Sequence, residues 1–245
     1  MHFVDTHIHL NDFTNGADEI IAEAFACGID KMINMSSTPQ EWQKVLELSR
    51  KYPKNVVSAL GMHPWYVNQI TESDFDKLEK LLKSNRDVLL GECGLDGLKP
   101  HFTKQTEVFL RQTELAKKYN RPMVIHCVKA IEWFQNNRHE LPERFVFHSY
   151  NGKVEFLKQI LNYGGYVGLN ASVFKSSAVA EIIKYVPADR IVLETDAPYQ
   201  GFEKGKENKP EAILEIFEKI ARIRDEDKEA LAHQIYQNSL NLIHL

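Results

Sequence analysis

The opening run Phe3-Val4-Asp5-Thr6-His7-Ile8-His9-Leu10 sets two histidines two residues apart. Side chains on a strand alternate faces, so Asp5, His7 and His9 share one, and the two imidazoles stand roughly 6.6 Å apart along the backbone. Neutral imidazole suits zinc, iron, nickel and related divalent ions. A single such pair is commonplace in surfaces and cores. Five further ligand-type residues give it meaning, because His63, Glu92, His126, His148 and Asp196 each follow a strand-like run. His7, His9 and Asp196 can hold one divalent ion, His126 and His148 a second, and Glu92 is placed to bridge both. Paired ions roughly 3.5–4 Å apart clamp attacking and leaving oxygens and lower the pKa of a shared water. Two divalent ions, two carboxylates and a hydroxide leave residual positive charge, which suits an anionic phosphodiester. Glu92, Asp196 and His63 are the candidates for catalysis, and His63 is cast as a substrate or supporting contact, outside the ligand set.

These residues need a frame that brings seven distant positions to one place. Short β-branched runs alternate with amphipathic stretches along the whole chain. Strands are expected at the opening and over 30–34, 56–61, 88–92, 122–126, 145–148, 166–169 and 191–194. Helices are expected over 17–27, 38–52, 71–84, 103–119, 130–139, 153–163, 177–185, 210–224 and 227–243. Thr38-Pro39 reads as a helix cap and first turn, and Gly28 as a helix stop. Eight such units without a composition break predict an α/β protein, a single (β/α)₈ TIM barrel domain over residues 1–245. A doubly wound open sheet is the alternative, but no Gly-x-Gly-x-x-Gly follows a strand. In a barrel every candidate ligand falls at a C-terminal strand end, the face that carries active sites.

With these motifs in place, the chain resembles the TatD family of metal-dependent hydrolases, of the amidohydrolase type. The resemblance rests on Asp5-Thr6-His7-Ile8-His9-Leu10, Gly61-Met62-His63-Pro64, Gly91-Glu92-Cys93-Gly94-Leu95-Asp96, Pro122-Met123-Val124-Ile125-His126 and Thr195-Asp196-Ala197-Pro198-Tyr199. It covers nearly the whole chain, including Gln105, Phe109, Ala116, Asn208, Pro210 and Asn238. It implies a two-metal hydrolase of ester bonds in nucleic acid, typically a deoxyribonuclease, with zinc, manganese or magnesium as the ions. Departures fall beside the ligands. Val128-Lys129 stands where Arg and Asp are usual, Ser149-Tyr150-Asn151-Gly152 where Cys-Phe-Ser-Gly is, and tyrosines usual after Gly-Leu-Asp are replaced by Gly97-Leu98-Lys99-Pro100.

Composition sets the remaining limits. A net charge of −4 argues against a global basic field. A nucleic-acid substrate would then need a locally positive mouth. Lys99, Lys104, Lys129, Lys153, Lys175, Lys204, Lys206 and Lys209 follow strands, with few acids among them. Lys129 and Lys153 are the best substrate-binding candidates, each lying just past a ligand histidine, with Trp65, Tyr66, Phe102, Tyr150, Phe174, Tyr199 and Phe202 as rim aromatics. The three cysteines fit no Cys-x-x-Cys spacing and no signal or spanning segment is evident, so a reduced, cytosolic, monomeric chain without an obligatory protein partner is expected. Cys93 and Cys127 read as small core fillers. Asp5 reads equally as a residue orienting a ligand and as a buried barrel carboxylate, while Asp96 reads first as holding the loop after its strand, with reach into the site as the alternative. His2, His101, His139, His233 and His244 carry no matching context. Two other functions fit the same frame: hydrolysis or deamination of a C–N bond, and a metal-retaining binding module without turnover.

Overall fold

Inward-facing apolar residues at every second strand position build the centre of the molecule. Ile33, Met35, Ala59, Leu89, Val124, Val146, Tyr166 and Val192 form one buried cluster, with Leu242 among them. Their chain neighbours Met32, Leu60, Leu90, Met123, Ile125, Phe145, Phe147, Ile191 and Leu193 belong to a second, larger cluster with the helices. Strands buried on both faces read as continuous apolar runs, which is what covered parallel sheets require. The computed structural model describes residues 1–243, so the expectation for His244 lies outside the described residues.

Among the described residues there are eight strands: β1 (Phe3–Ile8), β2 (Ile29–Met35), β3 (Val56–Leu60), β4 (Leu89–Asp96), β5 (Met123–Val128), β6 (Phe145–Phe147), β7 (Tyr166–Leu169) and β8 (Ile191–Leu193). Each pairs in parallel with the next, in chain order. Among the same described residues nine α-helices lie between and after them: α1 (Ala17–Ala26), α2 (Trp42–Lys51), α3 (Glu72–Ser84), α4 (Phe102–Tyr119), α5 (Ile131–Asn136), α6 (Val154–Asn162), α7 (Val179–Tyr185), α8 (Ala212–Arg224) and α9 (Lys228–Ile243). This is the expected (β/α)₈ barrel. Its closing seam is made past the end of β8, where the Asp196 amide donates to the His7 carbonyl and the His9 amide to the Ala197 carbonyl, both at 2.8 Å. Asp5, fully buried, reinforces the seam by accepting from the Thr195 amide and hydroxyl. It serves here as the buried barrel carboxylate.

Several boundaries differ from expectation for local reasons. The helix expected from Thr38 starts at Trp42, because Glu41 accepts from the Ser37 amide and Thr38 hydroxyl and holds a turn instead. α5 is short and passes into a separate 3₁₀ turn, Arg138–Glu140. β4 runs four residues beyond Glu92, and β5 two beyond His126. Those two candidate ligands therefore sit within strands. No helix among the described residues is long and apolar enough to cross a membrane.

Candidate metal centre

Period two places most of the site. Val124, Val146 and Val192 point into the barrel, so the residue two further on each strand points the same way: His126, His148 and Glu194. Glu92 is three residues past inward-facing Leu89 and would face outward in an unbroken strand. The β4–β5 ladder shifts between Leu90 and Cys93, which restores the inward direction. Gly91 sits at this shift with φ +156°, and a Cβ there would lie 2.8 Å from that of Val124. The Glu92 amide is taken up by the Ser36 carbonyl of the neighbouring loop.

Five imidazoles and two carboxylates converge at the C-terminal rim, all buried. His7 Nε2 lies 3.2 Å from His9 Nε2, 3.4 Å from Asp196 Oδ1 and 3.3 Å from Glu92 Oε2. His9 Nε2 is 3.4 Å from Asp196 Oδ1 and 3.6 Å from Glu92 Oε2. Glu92 Oε1 faces a second set: His126 Nδ1 and His148 Nε2 at 2.9 Å, and His63 Nε2 at 3.2 Å. His126 Nδ1 is in turn 3.3 Å from His148 Nε2 and 3.4 Å from His63 Nε2. Ligand atoms each roughly 2.0–2.1 Å from a tetrahedral zinc stand about 3.3 Å apart. The donor set of imidazole nitrogen and carboxylate oxygen, at these mutual spacings, fits divalent ions. His63, expected outside the ligand set, has its Nε2 inside the second set, while its Nδ1 accepts from the Trp65 amide.

Electrostatics follow from the same packing. Burial opposes ionisation of Glu92, but His63, His148 and His7 outweigh it and hold the carboxyl well below its usual range. Burial likewise works against a charged His148, yet Glu92 and Glu194 push it well above the usual imidazole value. His63 is pulled down chiefly by burial. Asp196 is lowered against burial by His9 and its neighbours.

The surrounding layer adds Glu194, which has no role in the sequence reading. Glu194 Oε1 accepts from the Ser149 amide and lies 3.6 Å from His148 Nδ1, while its Oε2 and His148 Nδ1 have no hydrogen-bond partner among the described residues. It falls in a third group of possible ligands with His7 and His148. The signal was available: Glu194 stands two residues after an inward valine. Asp96 fulfils both readings: it holds its loop by accepting from the Leu98 amide. It also reaches the site, with Oδ2 accepting from Trp65 Nε1 at 2.6 Å and lying 3.6 Å from His126 Nε2. Cys93 is buried in the helix-side core, as a filler would be, and Cys127 packs partly buried against it. His2, His101, His139 and His233 are exposed and away from the centre.

The cavity over the cluster, about 450 Å³, is lined by His9, Asp12, Ser37, Glu41, His63, Trp65, Tyr66, Glu92, His126, His148, Asp196, Tyr199 and Gln200. Among the described residues no Lys or Arg lines it, so the lysines expected at a positive mouth lie outside this lining. Lys209 pairs with Glu23, Lys206 with Glu203 and Lys104 with Glu107, whereas Lys99 lies over the ring of Trp65, beside this cavity. Trp65 and Tyr199 are half exposed at the rim, at 52% and 51%. Tyr150 is buried, and Phe174 and Phe202 pack on each other and the core. Lys129 and Lys153 line a different cavity, of about 460 Å³, which shares only His148 with the first.

Residues 4–244 match the family model described as TatD related DNase. The metal-dependent hydrolase YjjV of Escherichia coli is 27% identical, over 99% of this chain and 98% of its own length. The 3'-5' ssDNA/RNA exonuclease TatD of Salmonella typhimurium is also 27% identical, over 98% of this chain and 97% of its own. The crystal structure of the TatD homologue YjjV from E. coli superposes with a TM-score of 0.90 at 26% identity, covering 98% of this chain and 97% of that one.

Proposed function

The chain belongs to the TatD-related DNase family, and on that premise we propose that it is a two-metal hydrolase of phosphodiester bonds in nucleic acid, acting as a deoxyribonuclease. The observation that carries this reading is Glu92, whose two carboxylate oxygens face two separate sets of donors. His7, His9, Asp196 and Glu92 Oε2 would hold one divalent ion, zinc, manganese or magnesium. His63, His126, His148 and Glu92 Oε1 would hold the other. When bound, such ions activate water and offset the charge that develops on a phosphoryl group in displacement.

The protein's own groups do the rest. Glu92 and Asp196 set the charge balance, and burial of the whole cluster strengthens each electrostatic contact. Asp196 is fixed by the hydrogen bond its backbone amide donates to the His7 carbonyl, and its carboxylate accepts from the Gln200 side-chain amide. Trp65 and Tyr199 offer aromatic faces at the mouth on which bases can stack without sequence preference. Purified protein with its metal content determined, offered single-stranded DNA, RNA and bis(p-nitrophenyl) phosphate, tests the reading. Diester cleavage with two ions per chain, abolished by chelation and restored by the ion, is the expected result. Loaded protein that turns over none of the three, or turns over a C–N substrate instead, rejects it.

A further inference from the structure

The two cavities that meet at His148 differ in their charged side chains. The one over the metal cluster contains the carboxylates of Asp12, Glu41, Glu92 and Asp196 and no Lys or Arg. The other is lined by Lys129 and Lys153, by Ser149, Asn151, Ser176 and Ser177, and by no acid. Both lysines are exposed, and among the described residues neither ammonium takes part in an ion pair or hydrogen bond.

The backbone that carries the lysines is fixed. Tyr150 is buried and its hydroxyl donates to the Lys153 carbonyl, with Gly152 against its ring. Lys129 adopts φ +49°, and a Cβ on Gly97 would lie 2.5 Å from its carbonyl oxygen. A cavity of this size with two free ammonium groups, hydroxyl and amide donors and no carboxylate is built for an anion. It adjoins the cavity over the candidate metal centre through His148.

We propose that this second cavity is a phosphate subsite, in which Lys129 and Lys153 hold phosphates of a single-stranded nucleic acid neighbouring the diester at the metal cluster. The proposal rests on the phosphodiesterase reading for the identity of the strand. It explains how a chain with net charge −4 holds a polyanion without basic groups over the metals.

The test is binding of a fluorescein-labelled, phosphorothioate-linked thymidine octamer to the metal-loaded protein, followed by anisotropy. Lys129→Ala/Lys153→Ala is expected to raise Kd at least tenfold. Its slope of log affinity against log salt is expected to be shallower by about 1.4, two contacts at about 0.7 each. Lys129→Arg/Lys153→Arg should bind nearly as wild type. Lys54→Ala/Lys184→Ala, an equal charge change at the opposite end of the barrel, should leave Kd within twofold. Unchanged Kd and salt slope in the first variant overturn the subsite, as does an equal loss in the control pair or a wild-type protein that does not bind the octamer. Failure of loaded wild type to cleave ordinary DNA counts against the phosphodiesterase reading instead, and leaves the binding result to judge the cavity.

Discussion

At the scale of single residues, Glu194 and Gly168 show how the site depends on groups behind it. Glu194 stands 3.6 Å from His148 Nδ1 and fixes the turn through the Ser149 amide. Carboxylates in this position set the tautomer and direction of a ligating imidazole, and their loss costs about 10–100-fold in metal affinity. Glu194→Gln is therefore expected to weaken metal binding by that order while keeping the fold, as measured by calorimetric metal titration beside circular dichroism. Wild-type affinity would remove Glu194 from the positioning role. Gly168 is the space into which Glu194 fits: a Cβ there would sit 2.3 Å from Glu194 Oε2 and 3.2 Å from the His148 Cα. Gly168→Ala should reproduce the affinity loss and also lower stability by about 1–3 kcal/mol through overpacking, read as a fall in Tm.

Between elements, a few buried polar side chains tie helices to the strand ends that carry candidate ligands. Gln112 on α4 accepts from the Met62 amide at 2.8 Å and donates to the Met62 carbonyl at 3.2 Å, next to His63. Gln112→Leu leaves buried backbone groups unpaired, at a cost of about 1–3 kcal/mol for such a group. A lower denaturation midpoint together with weaker metal binding is expected, and an unchanged midpoint would contradict it. Between α3 and α4, Glu79 accepts from Lys118 and Tyr119, which hold its carboxyl down to about 2. A carboxyl lowered in the folded state stabilises above its ordinary value of 4.5 and loses that contribution as pH falls towards 2. The Tm difference between wild type and Glu79→Gln should accordingly be present at pH 7 and close between pH 4.5 and 2, the sign that thermal scans across pH would check.

For the whole molecule, the candidate ligands come from β1, β4 and β5 and from the segments just after β1, β3, β6 and β8. Ions shared among them would join first and last strands across the seam, where closure relies on bonds of the His7–His9 segment to Asp196 and Ala197. Anything bound to the folded state alone adds stability as RT ln(1 + [L]/Kd), about 2.7 kcal/mol at a hundredfold excess over Kd. Chelated protein should thus melt several degrees lower by calorimetry, with recovery on adding zinc or manganese. Identical melting with and without ions would mean that they do not bridge the barrel.

Which side chains face the barrel axis was written locally. Val124 with His126, Val146 with His148 and Val192 with Glu194 keep the two-residue period of a strand, so the direction of each polar residue follows from the apolar one before it. The alternation of eight runs with amphipathic helices likewise specified the barrel, because a parallel sheet needs both faces covered. Tertiary structure decided what local period cannot. Glu92 faces inward only because the β4–β5 ladder slips at Gly91. Asp96 reaches His126 because β4 runs on past Glu92 and Trp65 folds down to meet it. His63 enters the second donor set, and Lys129 and Lys153 fall into a cavity apart from the carboxylates. Each of these depends on contacts between residues 30 or more positions apart or on the path of a loop, and such distances are set by packing of the whole chain.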